Sequence, residues 1–436
     1  MPPVSAAHAA RSRLVQPRPS ESGALRLCFA LGLMFQMPSF IMQMSGDPVL
    51  QRVLQLGNFL CLVLGAVVIL GSPNPKKILV TPPAPMLLFG LGLLSSLWSL
   101  NPSSTFRATY ILLGTTLFSA AMCARFSPPS CVQLIIRVMS FVCLLSMICA
   151  IFFPDIGVHP LDERIEEHRG LWRGVFSHKQ GLGVVSGLTA GLLLFYGSLA
   201  FPPPIIRFGA LGAAVACVLG SKSATGFLVT LVLSTLLYTT HWLTRSSPAA
   251  RRTAVRVLLG LLFAGYLAFH FDLLNFIMPL LGKSEDLTGR ADFWPWVVGN
   301  LRDTAPLLGG GFAGGLEEYV APETSIDNGF IVELVDFGYV GGAVILGLYA
   351  RSMWGAVKAI LSTPSKEAAI RIFPFNMFLI MLFIGISETP YMTKNIVWVI
   401  VLVSMYQVAQ YESAVPLRGA DANRGAARTS KPASAR

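Results

Sequence analysis

The chain has 436 residues, of which 53% are hydrophobic and only 13% are charged. Soluble proteins carry about 25% charged residues, so this composition excludes an ordinary soluble domain. The formal net charge of +11 does not indicate nucleic-acid binding, because most basic residues lie in short gaps between apolar runs, as the positive-inside rule predicts. The sequence therefore predicts an all-α polytopic membrane protein.

Apolar runs long enough to cross a bilayer as helices recur along the chain. The first run follows a basic N-terminal tail, residues 1–23, and is too long for a cleavable signal, so we predict a retained first helix. We expect one transmembrane domain, residues 24–411, with about twelve helices, followed by a disordered tail, residues 412–436. The predicted spans are 24–44, 50–71, 84–100, 104–124, 130–153, 178–200, 204–221, 223–243, 254–274, 327–350, 371–388 and 392–411.

The distribution of charge predicts how these helices are oriented. If the N-terminus is cytoplasmic, the inner segments hold most of the 33 basic residues and the outer segments hold most of the 22 acids. The positive-inside rule then places both termini in the cytoplasm. Two longer loops are expected outside, residues 154–177 and residues 275–326, and the second is one large loop between spans nine and ten.

The first outer loop places basic side chains beside the sixth span. Arg169, Arg173 and His178 lie within a turn or two of its start. As cations they would meet the outer headgroup zone, where a lipid phosphate lies. Trp172 lies among them, and an interfacial anchor explains the same pattern equally well. The sequence leaves both interpretations open.

A short turn, residues 220–226, separates the seventh and eighth spans and reads GSKSATG. Its Lys222 is not needed for topology, and on the outer side it opposes the positive-inside bias. The small residues around it allow a ligand or another backbone to approach closely. We interpret Lys222 as part of an anion site whose natural ligand is a membrane-borne phosphate. Snorkelling of the lysine toward the headgroups is the alternative.

The large outer loop holds the longest polar interruption in the chain. A helix lying at the membrane surface is predicted from about Thr288, and Arg290 near its start would combine a guanidinium with backbone donors against one anion. The glycine run that follows, residues 309–315, predicts a flexible turn that other groups approach closely. It lacks the spacing of a nucleotide-binding P-loop.

Carboxylates stand at the membrane edge beyond this loop. Asp327 leads into the tenth span, and Glu333 and Asp336 follow on the same helix, although the three cannot share one helix face. Acids within a membrane are energetically expensive and usually functional. Helix capping is the competing interpretation of Asp327. Glu388, at the outer end of the eleventh span, is a further candidate.

In this order and spacing, these segments resemble the O-antigen ligase and Wzy-type polymerase superfamily, and within it the ExoQ-type exopolysaccharide polymerases. The resemblance covers roughly residues 169–342, and no single piece of it is specific. The matching pieces are Arg173-Gly174 with His178-Lys179 and Leu182-Gly183, the turn from Gly220 to Gly226, Gly289-Arg290 with Trp294, the run from Gly309 to Gly315, and Asp327-Asn328-Gly329-Phe330 with Gly338 and Gly341-Gly342.

The resemblance implies a glycosyltransferase of the bacterial cytoplasmic membrane. Members of this family join undecaprenyl-pyrophosphate-linked oligosaccharides outside that membrane, with no cofactor and no required metal. By position, Lys222 and Arg290 would grip the donor pyrophosphate, and Asp327 would stand where ligases usually place a histidine base. Lys222 itself replaces an arginine common in ligases. The residues expected to contribute to substrate binding are Arg169, Arg173, His178 and Glu388.

The expected partners follow from this assignment. They are the lipid-linked oligosaccharide, the lipid bilayer, and a flippase with chain-length or export proteins, but no nucleic acid. A ligase that transfers the glycan to lipid A or to protein is an alternative within the superfamily. A transporter or flippase of lipid-linked oligosaccharides is the alternative from a different class. Against it, the sequence shows no internal repeat, and its ionisable groups cluster at one membrane edge.

Overall fold

The structure is a computed structural model, and it describes residues 23–37, 48–160, 168–246, 290–316, 326–361, 368–389, 391–392 and 395–414. These residues form fourteen α-helices and one isolated β-bridge. The helices are α1 (Gly23–Phe35), α2 (Pro48–Leu70), α3 (Pro75–Val80), α4 (Ala84–Ser95), α5 (Pro102–Arg125), α6 (Pro128–Phe152), α7 (Pro154–Gly157), α8 (Lys179–Ala200), α9 (Pro204–Ser221), α10 (Ala224–Arg245), α11 (Arg290–Thr304), α12 (Gly329–Leu361), α13 (Ala368–Gly385) and α14 (Ile396–Ala414).

The described helices are those of an all-α membrane protein, as predicted. Eight of them, α5, α6, α8, α9, α10, α12, α13 and α14, are long and apolar enough to cross a membrane. Shorter apolar helices lie where the first three spans were predicted. The ninth predicted span, 254–274, lies outside the described residues, so the total of twelve stays a prediction.

Local sequence signals explain where several helices begin. The first residue of α5 and of α6 is proline, whose fixed φ suits a first turn and whose missing N–H would have had no partner there. The residues just before them, Asn101 and Ser127, accept hydrogen bonds from the amides of Ser104 at 3.2 Å and Ser130 at 3.4 Å. These caps fix the starts of both helices.

Contacts between connecting segments define two ends of the helix bundle. We call one the loop end, where the α9–α10 turn lies and the hydroxyl of Thr225 is 3.3 Å from that of Ser387. The other is the basic end, where Arg137 donates to the carbonyl of Ala200 at 2.8 Å. Further cations lie at helix termini of the basic end. They are Arg125, Arg207, Arg245, Lys358 and Arg371.

The tenth predicted span, 327–350, is not one straight helix. Gly338 has φ 63° and ψ −171°, and it divides α12 into a first half, residues 329–337, and a longer second half. At the break, the carbonyls of Val335 and Asp336 accept hydrogen bonds from the amides of Gly310 and Gly311, each at 2.9 Å. Only glycine commonly adopts this backbone conformation, and the sequence pattern alone did not reveal the break.

The other side of the break is paired in the same way. The amide of Tyr339 donates to the carbonyl of Pro306 at 2.9 Å, and that of Val340 donates to the carbonyl of Leu307 at 3.2 Å. Non-helical backbone at membrane depth is tolerated only when protein groups satisfy it. The glycine run, predicted to be a flexible turn, supplies part of that pairing and is a packed element of the structure.

The third predicted span, 84–100, is a helix only as far as Ser95, and the end of the helix and the residues after it bind the segment 308–312. Leu100 donates its amide to Gly310 at 3.0 Å, and the indole of Trp98 donates to Leu308 at 2.9 Å. The hydroxyl of Ser95 itself accepts the amide of Phe312 at 3.0 Å. These hydrogen bonds attach the end of α4 to the segment that contains the glycine run.

Replacing Gly338 with alanine should destabilise the protein by about 1–3 kcal/mol. A Cβ atom there would collide with the backbone of Leu307 and would occupy a conformation that side chains disfavour. Gly347→Ala is the matched control, since it lies on the same helix with nothing within 4 Å of a new Cβ. Thermal unfolding in detergent should show a lower midpoint for Gly338→Ala only. Equal midpoints for the two variants would contradict the packing described here.

Candidate functional site

The α9–α10 turn packs tightly against the loop that precedes α8. The amide of Trp172 donates to the carbonyl of Gly220 at 3.0 Å. A side chain at Gly220 would collide with the indole of Trp172, and one at Gly183 would collide with Ser223. Small residues in the turn and in α8, which suggested close approach by a ligand or by another backbone, are therefore used for packing within the protein at these two positions.

Lys222 lies at the tip of this turn with its side chain exposed and its backbone in the left-handed region, φ 47°. Hydroxyl groups on both sides hold it there. Ser223 donates its amide to the hydroxyl of Ser221 at 3.3 Å and accepts the amide of Gly226 at 3.2 Å, which caps α10. Lys222 is the C-cap of α9, and helices commonly end on a left-handed residue, although one that is not glycine costs roughly 1–2 kcal/mol.

Two hydrogen bonds connect this turn to the start of α12. Thr225, in the first turn of α10, contacts Ser387 just beyond the end of α13, at 3.3 Å between the two hydroxyls. One residue earlier, the carbonyl of Ile386 accepts a hydrogen bond from the side chain of Asn328 at 3.2 Å. The segments that contain Lys222 and Asp327 therefore lie at the same end of the bundle.

Asp327 is half-buried, and its backbone is also left-handed, with φ 38°. The next residue, Asn328, caps α12 by accepting the amides of Phe330 at 3.0 Å and Ile331 at 3.1 Å through its Oδ1 atom. Asn328 thus makes the cap that the sequence offered as the alternative role of Asp327. Two of the three predicted catalytic residues, Lys222 and Asp327, are among the four non-glycine residues with positive φ in the described part of the chain.

Arg290 is the first described residue of α11, and its side chain lies outside the described part of the structure. One turn later, the indole of Trp294 donates to the carbonyl of Ile326 at 3.2 Å. Val297 of the same helix packs in one buried cluster with Ile331 of α12. The start of α11 is therefore held beside the residue that precedes Asp327. The predicted start of this helix, near Thr288, lies outside the described residues.

His178 belongs to a cluster of three histidines that also contains His159 and His168. Their ring centroids are 4.6–5.5 Å apart. His178 caps α8, because its Nδ1 atom accepts the amide of Gln180 at 3.3 Å. Within the described residues, no group of three or more histidine, cysteine or acidic side chains is arranged to hold a metal ion. Residues His159 and His168 were missed from the sequence, although they share one loop with His178.

The environment of His178 favours the neutral imidazole. Burial lowers its pKa to about 4, assisted by His168, His159 and Lys179, whereas the negative charge of Asp327 acts to raise it. At neutral pH, His178 is therefore not the cation expected from the sequence.

Arg173 braces the loop in which it lies. Its guanidinium donates to the carbonyl of Ile156 at 3.0 Å and to that of Asp155 at 3.4 Å, and the side chain is half-buried. Arg169, four residues earlier, is exposed. The structure thus gives Arg173 a supporting role at the loop end and leaves Arg169 at the surface near the cluster.

The remaining acids differ sharply in their surroundings. Asp336 accepts the amide of Ala313 at 3.0 Å, which attaches the glycine run to α12. Glu388 is half-buried, and its carbonyl lies close to Gly329. Glu333 is only 7% exposed, and its Oε2 atom is buried without a hydrogen-bond partner among the described residues. Ionisable groups buried in this way within a membrane are usually functional.

Fold and site together define the class of this chain as an all-α polytopic membrane protein with a polar, partly strained cluster at one end of its bundle. No protein-family model matches the chain, and no curated protein matches it significantly. The chemistry of the site is therefore inferred from its residues and their geometry.

Replacing His178 with asparagine should flatten the dependence of stability on pH. The pKa of His178 is about 4 in the folded protein against 6.5 for an ordinary imidazole. Between these values the unfolded chain binds a proton that the folded chain does not, so stability is full above pH 6.5 and declines as the pH falls toward 4. Asparagine retains an acceptor for the Gln180 amide but does not titrate.

The measurement is the thermal unfolding midpoint in detergent from about pH 7.5 to about pH 4.5. Wild type should lose more stability over this range than His178→Asn. Parallel pH profiles would show that His178 does not titrate as its environment indicates.

Proposed function

We propose that this protein is a glycosyltransferase that polymerises undecaprenyl-pyrophosphate-linked oligosaccharide repeat units into exopolysaccharide at the outer face of the bacterial cytoplasmic membrane. The observation that carries the proposal is the connection of Lys222 to Asp327. Both have strained left-handed backbones, and the Thr225–Ser387 and Asn328–Ile386 hydrogen bonds join their segments at the loop end.

The proposed chemistry needs a cation and a carboxylate at one site. The hydroxyl of the acceptor glycan attacks the anomeric carbon of the donor, and the carbon–oxygen bond to the pyrophosphate breaks with its electron pair. Lys222 and Arg290 stabilise the negative charge that grows on the departing pyrophosphate. Asp327 accepts the proton of the attacking hydroxyl as a general base. Attack opposite the leaving group inverts the anomeric centre. No cofactor or metal has a part in this scheme.

The charge distribution supports an outward-facing loop end. Arg125, Arg137, Arg207, Arg245, Lys358 and Arg371 lie at the basic end, whereas the acids Asp327, Glu333, Asp336 and Glu388 lie toward the loop end. The positive-inside rule then puts the basic end in the cytoplasm, together with both termini. A lipid-linked glycan exposed on the outer leaflet would present its pyrophosphate at the level of Lys222.

A polymerase fits the site better than a ligase because the residue at position 327 is a carboxylate where the resembled ligases usually place histidine. The imidazole of His178 is occupied as a helix cap through Nδ1. The products separate the two activities. Loss of a polymerase leaves single repeat units, whereas loss of a ligase leaves polymer on the lipid carrier.

A transporter of lipid-linked oligosaccharides is the second candidate, favoured by two observations. Glu333 is a buried acid inside α12, and Gly338 breaks that helix, and both features occur in transporters with discontinuous helices. Vesicles that contain the purified protein and a fluorescent lipid-linked oligosaccharide distinguish the candidates. Movement of intact substrate across the bilayer supports the transporter, and longer glycans support the polymerase.

Replacing Lys222 with asparagine should abolish polymer formation without destabilising the protein. Asparagine tolerates the left-handed backbone better than lysine does, so the fold retains its turn while the cation is lost. Lys222→Arg retains a cation and should keep a measurable fraction of activity. Arg290→Ala should also abolish polymer. Lys358→Ala is the matched control, since this lysine pairs with Glu412 at the basic end at 2.7 Å.

The assay incubates purified protein with the lipid-linked repeat unit in metal-free buffer and resolves the glycans by length. Wild type and Lys358→Ala should give a ladder, and Lys222→Asn and Arg290→Ala should give single units. A normal ladder from both site variants would discard the assignment of these cations. Unchanged single units from wild type would discard the polymerase.

A further inference from the structure

The outer face of α11 presents an aromatic ring that the packing of the helix does not bury. Val297 and Leu301, on the inner face, are completely buried in one cluster with residues of α12. Trp296 lies outside that face and is 47% exposed. Its ring stacks on that of Phe293, with centroids 5.8 Å apart and planes 26° apart, and Phe293 packs in turn against the buried cluster. The indole is therefore held in a defined orientation while nearly half of it stays exposed.

The surroundings of Trp296 on this face are open and polar. Gly299, one turn further along the helix, has nothing within 4 Å of a Cβ atom built on it. Arg302 and Asp303 follow after another turn, and both are exposed. Helical spacing places Gly299 and Asp303 on the same side of α11 as Trp296. The outer face thus combines an aromatic ring, open space, a guanidinium donor and a carboxylate acceptor.

Contact with the bilayer explains this face poorly. A helix that lies in the membrane interface turns its apolar face toward the lipid tails, but the apolar face of α11 is buried against α12. The charged side chains of Arg302 and Asp303 on the outer face would be costly in contact with hydrocarbon. We therefore expect the exposed indole to contact a ligand in the aqueous phase.

A sugar ring matches the chemistry of the outer face. The flat side of a pyranose carries C–H bonds with partial positive charge, and the face of an aromatic ring carries the negative part of its quadrupole. The hydroxyls around the sugar need donors and acceptors, which the guanidinium of Arg302 and the carboxylate of Asp303 supply. The absence of a side chain at Gly299 leaves room for these hydroxyls beside the indole.

The position of α11 connects its outer face to the proposed reaction site. The indole of Trp294 donates to the carbonyl of Ile326, the residue before Asp327, at 3.2 Å. Trp296 lies two residues beyond Trp294, about 3 Å along the helix axis, but on another side of the helix. A sugar that stacks on Trp296 is therefore not the sugar that reacts at Asp327, but one further along the same glycan.

We propose that the outer face of α11 is a glycan-binding subsite that holds the growing polysaccharide by stacking one of its sugar rings on Trp296. The subsite consists of Phe293, Trp296, Gly299, Arg302 and Asp303. This inference deepens the proposed function and rests on it. A subsite away from the reacting sugar adds affinity only for a glycan long enough to reach it. It therefore favours the extension of long chains over the joining of the first two units.

Substitutions at Trp296 and Gly299 test the subsite by binding alone. Trp296→Ala removes the aromatic ring, Trp296→Phe keeps one, and Gly299→Leu fills the open space without removing a polar group. The probes are soluble oligosaccharides of one to four repeat units, prepared by partial hydrolysis of the exopolysaccharide of the host bacterium. Calorimetric titration of the purified full-length protein in detergent measures their Kd. For the longest probe, we expect Kd to rise about 2- to 10-fold in Trp296→Ala and in Gly299→Leu, and less in Trp296→Phe.

Trp354→Ala is the matched control for these variants. Trp354 is 61% exposed, but it lies in the second half of α12, toward the basic end, so its removal should leave Kd unchanged. An equal Kd for wild type and Trp296→Ala would overturn the subsite, as would a failure of wild type to bind the longest probe. Equal weakening in Trp296→Ala and Trp354→Ala would also overturn it, because the effect would not be local to α11.

The length of the polymer gives a second measurement. In the ladder assay, Trp296→Ala should form the two-unit product as fast as wild type does but should give a shorter ladder. A ladder of wild-type length from Trp296→Ala would refute the subsite and leave the polymerase standing. If binding of the longest probe depends on Trp296 but wild type makes no ladder, the subsite stands and the polymerase is refuted.

Discussion

The backbone pairing between the glycine run and the break in α12 is the interaction on which the loop end depends. The break at Gly338 exposes the carbonyls of Val335 and Asp336 and the amides of Tyr339 and Val340. The amides of Gly310 and Gly311 pair with the two carbonyls, and the carbonyls of Pro306 and Leu307 pair with the two amides. Without this pairing, the polar groups would be unsatisfied at membrane depth, at a cost of several kcal/mol each. The pairing sets the direction of the first half of α12 and so the position of its capped start.

From that start, the site is assembled by contacts between segments that are distant in sequence. Asn328 contributes to two of them at once, because its Oδ1 caps α12 while its Nδ2 binds Ile386 beyond α13. The residue before it, Asp327, is left at the end of a fixed helix with a strained backbone. Lys222 is held in a similar way. It lies between Ser221 and Ser223, whose hydroxyls accept hydrogen bonds from backbone amides. Strain of this kind persists only when the surroundings over-determine it.

The sequence predicted the helices well and the connections between them poorly, for a physical reason. Apolar run length and proline at a first turn are local signals, and they placed α8, α9 and α10 within a few residues of their observed bounds. The kink at Gly338 is paired with Gly310, which lies about 28 residues away in the sequence, so no local sequence pattern indicates it. The candidate cations and Asp327 were identified from residue type and order, but the neutral state of His178 arises from burial that only the fold creates.

The proposed reaction has two opposite electrostatic requirements, and the neutral state of His178 bears on both. The pyrophosphate requires cations, and Lys222 and the start of α11 supply them from segments outside the histidine cluster. The base requires a carboxylate whose negative charge is not consumed by an adjacent cation, since an ion pair stabilises the charged form and weakens its affinity for a proton. Because burial lowers the pKa of His178, its neutral imidazole adds no positive charge to the loop end at neutral pH.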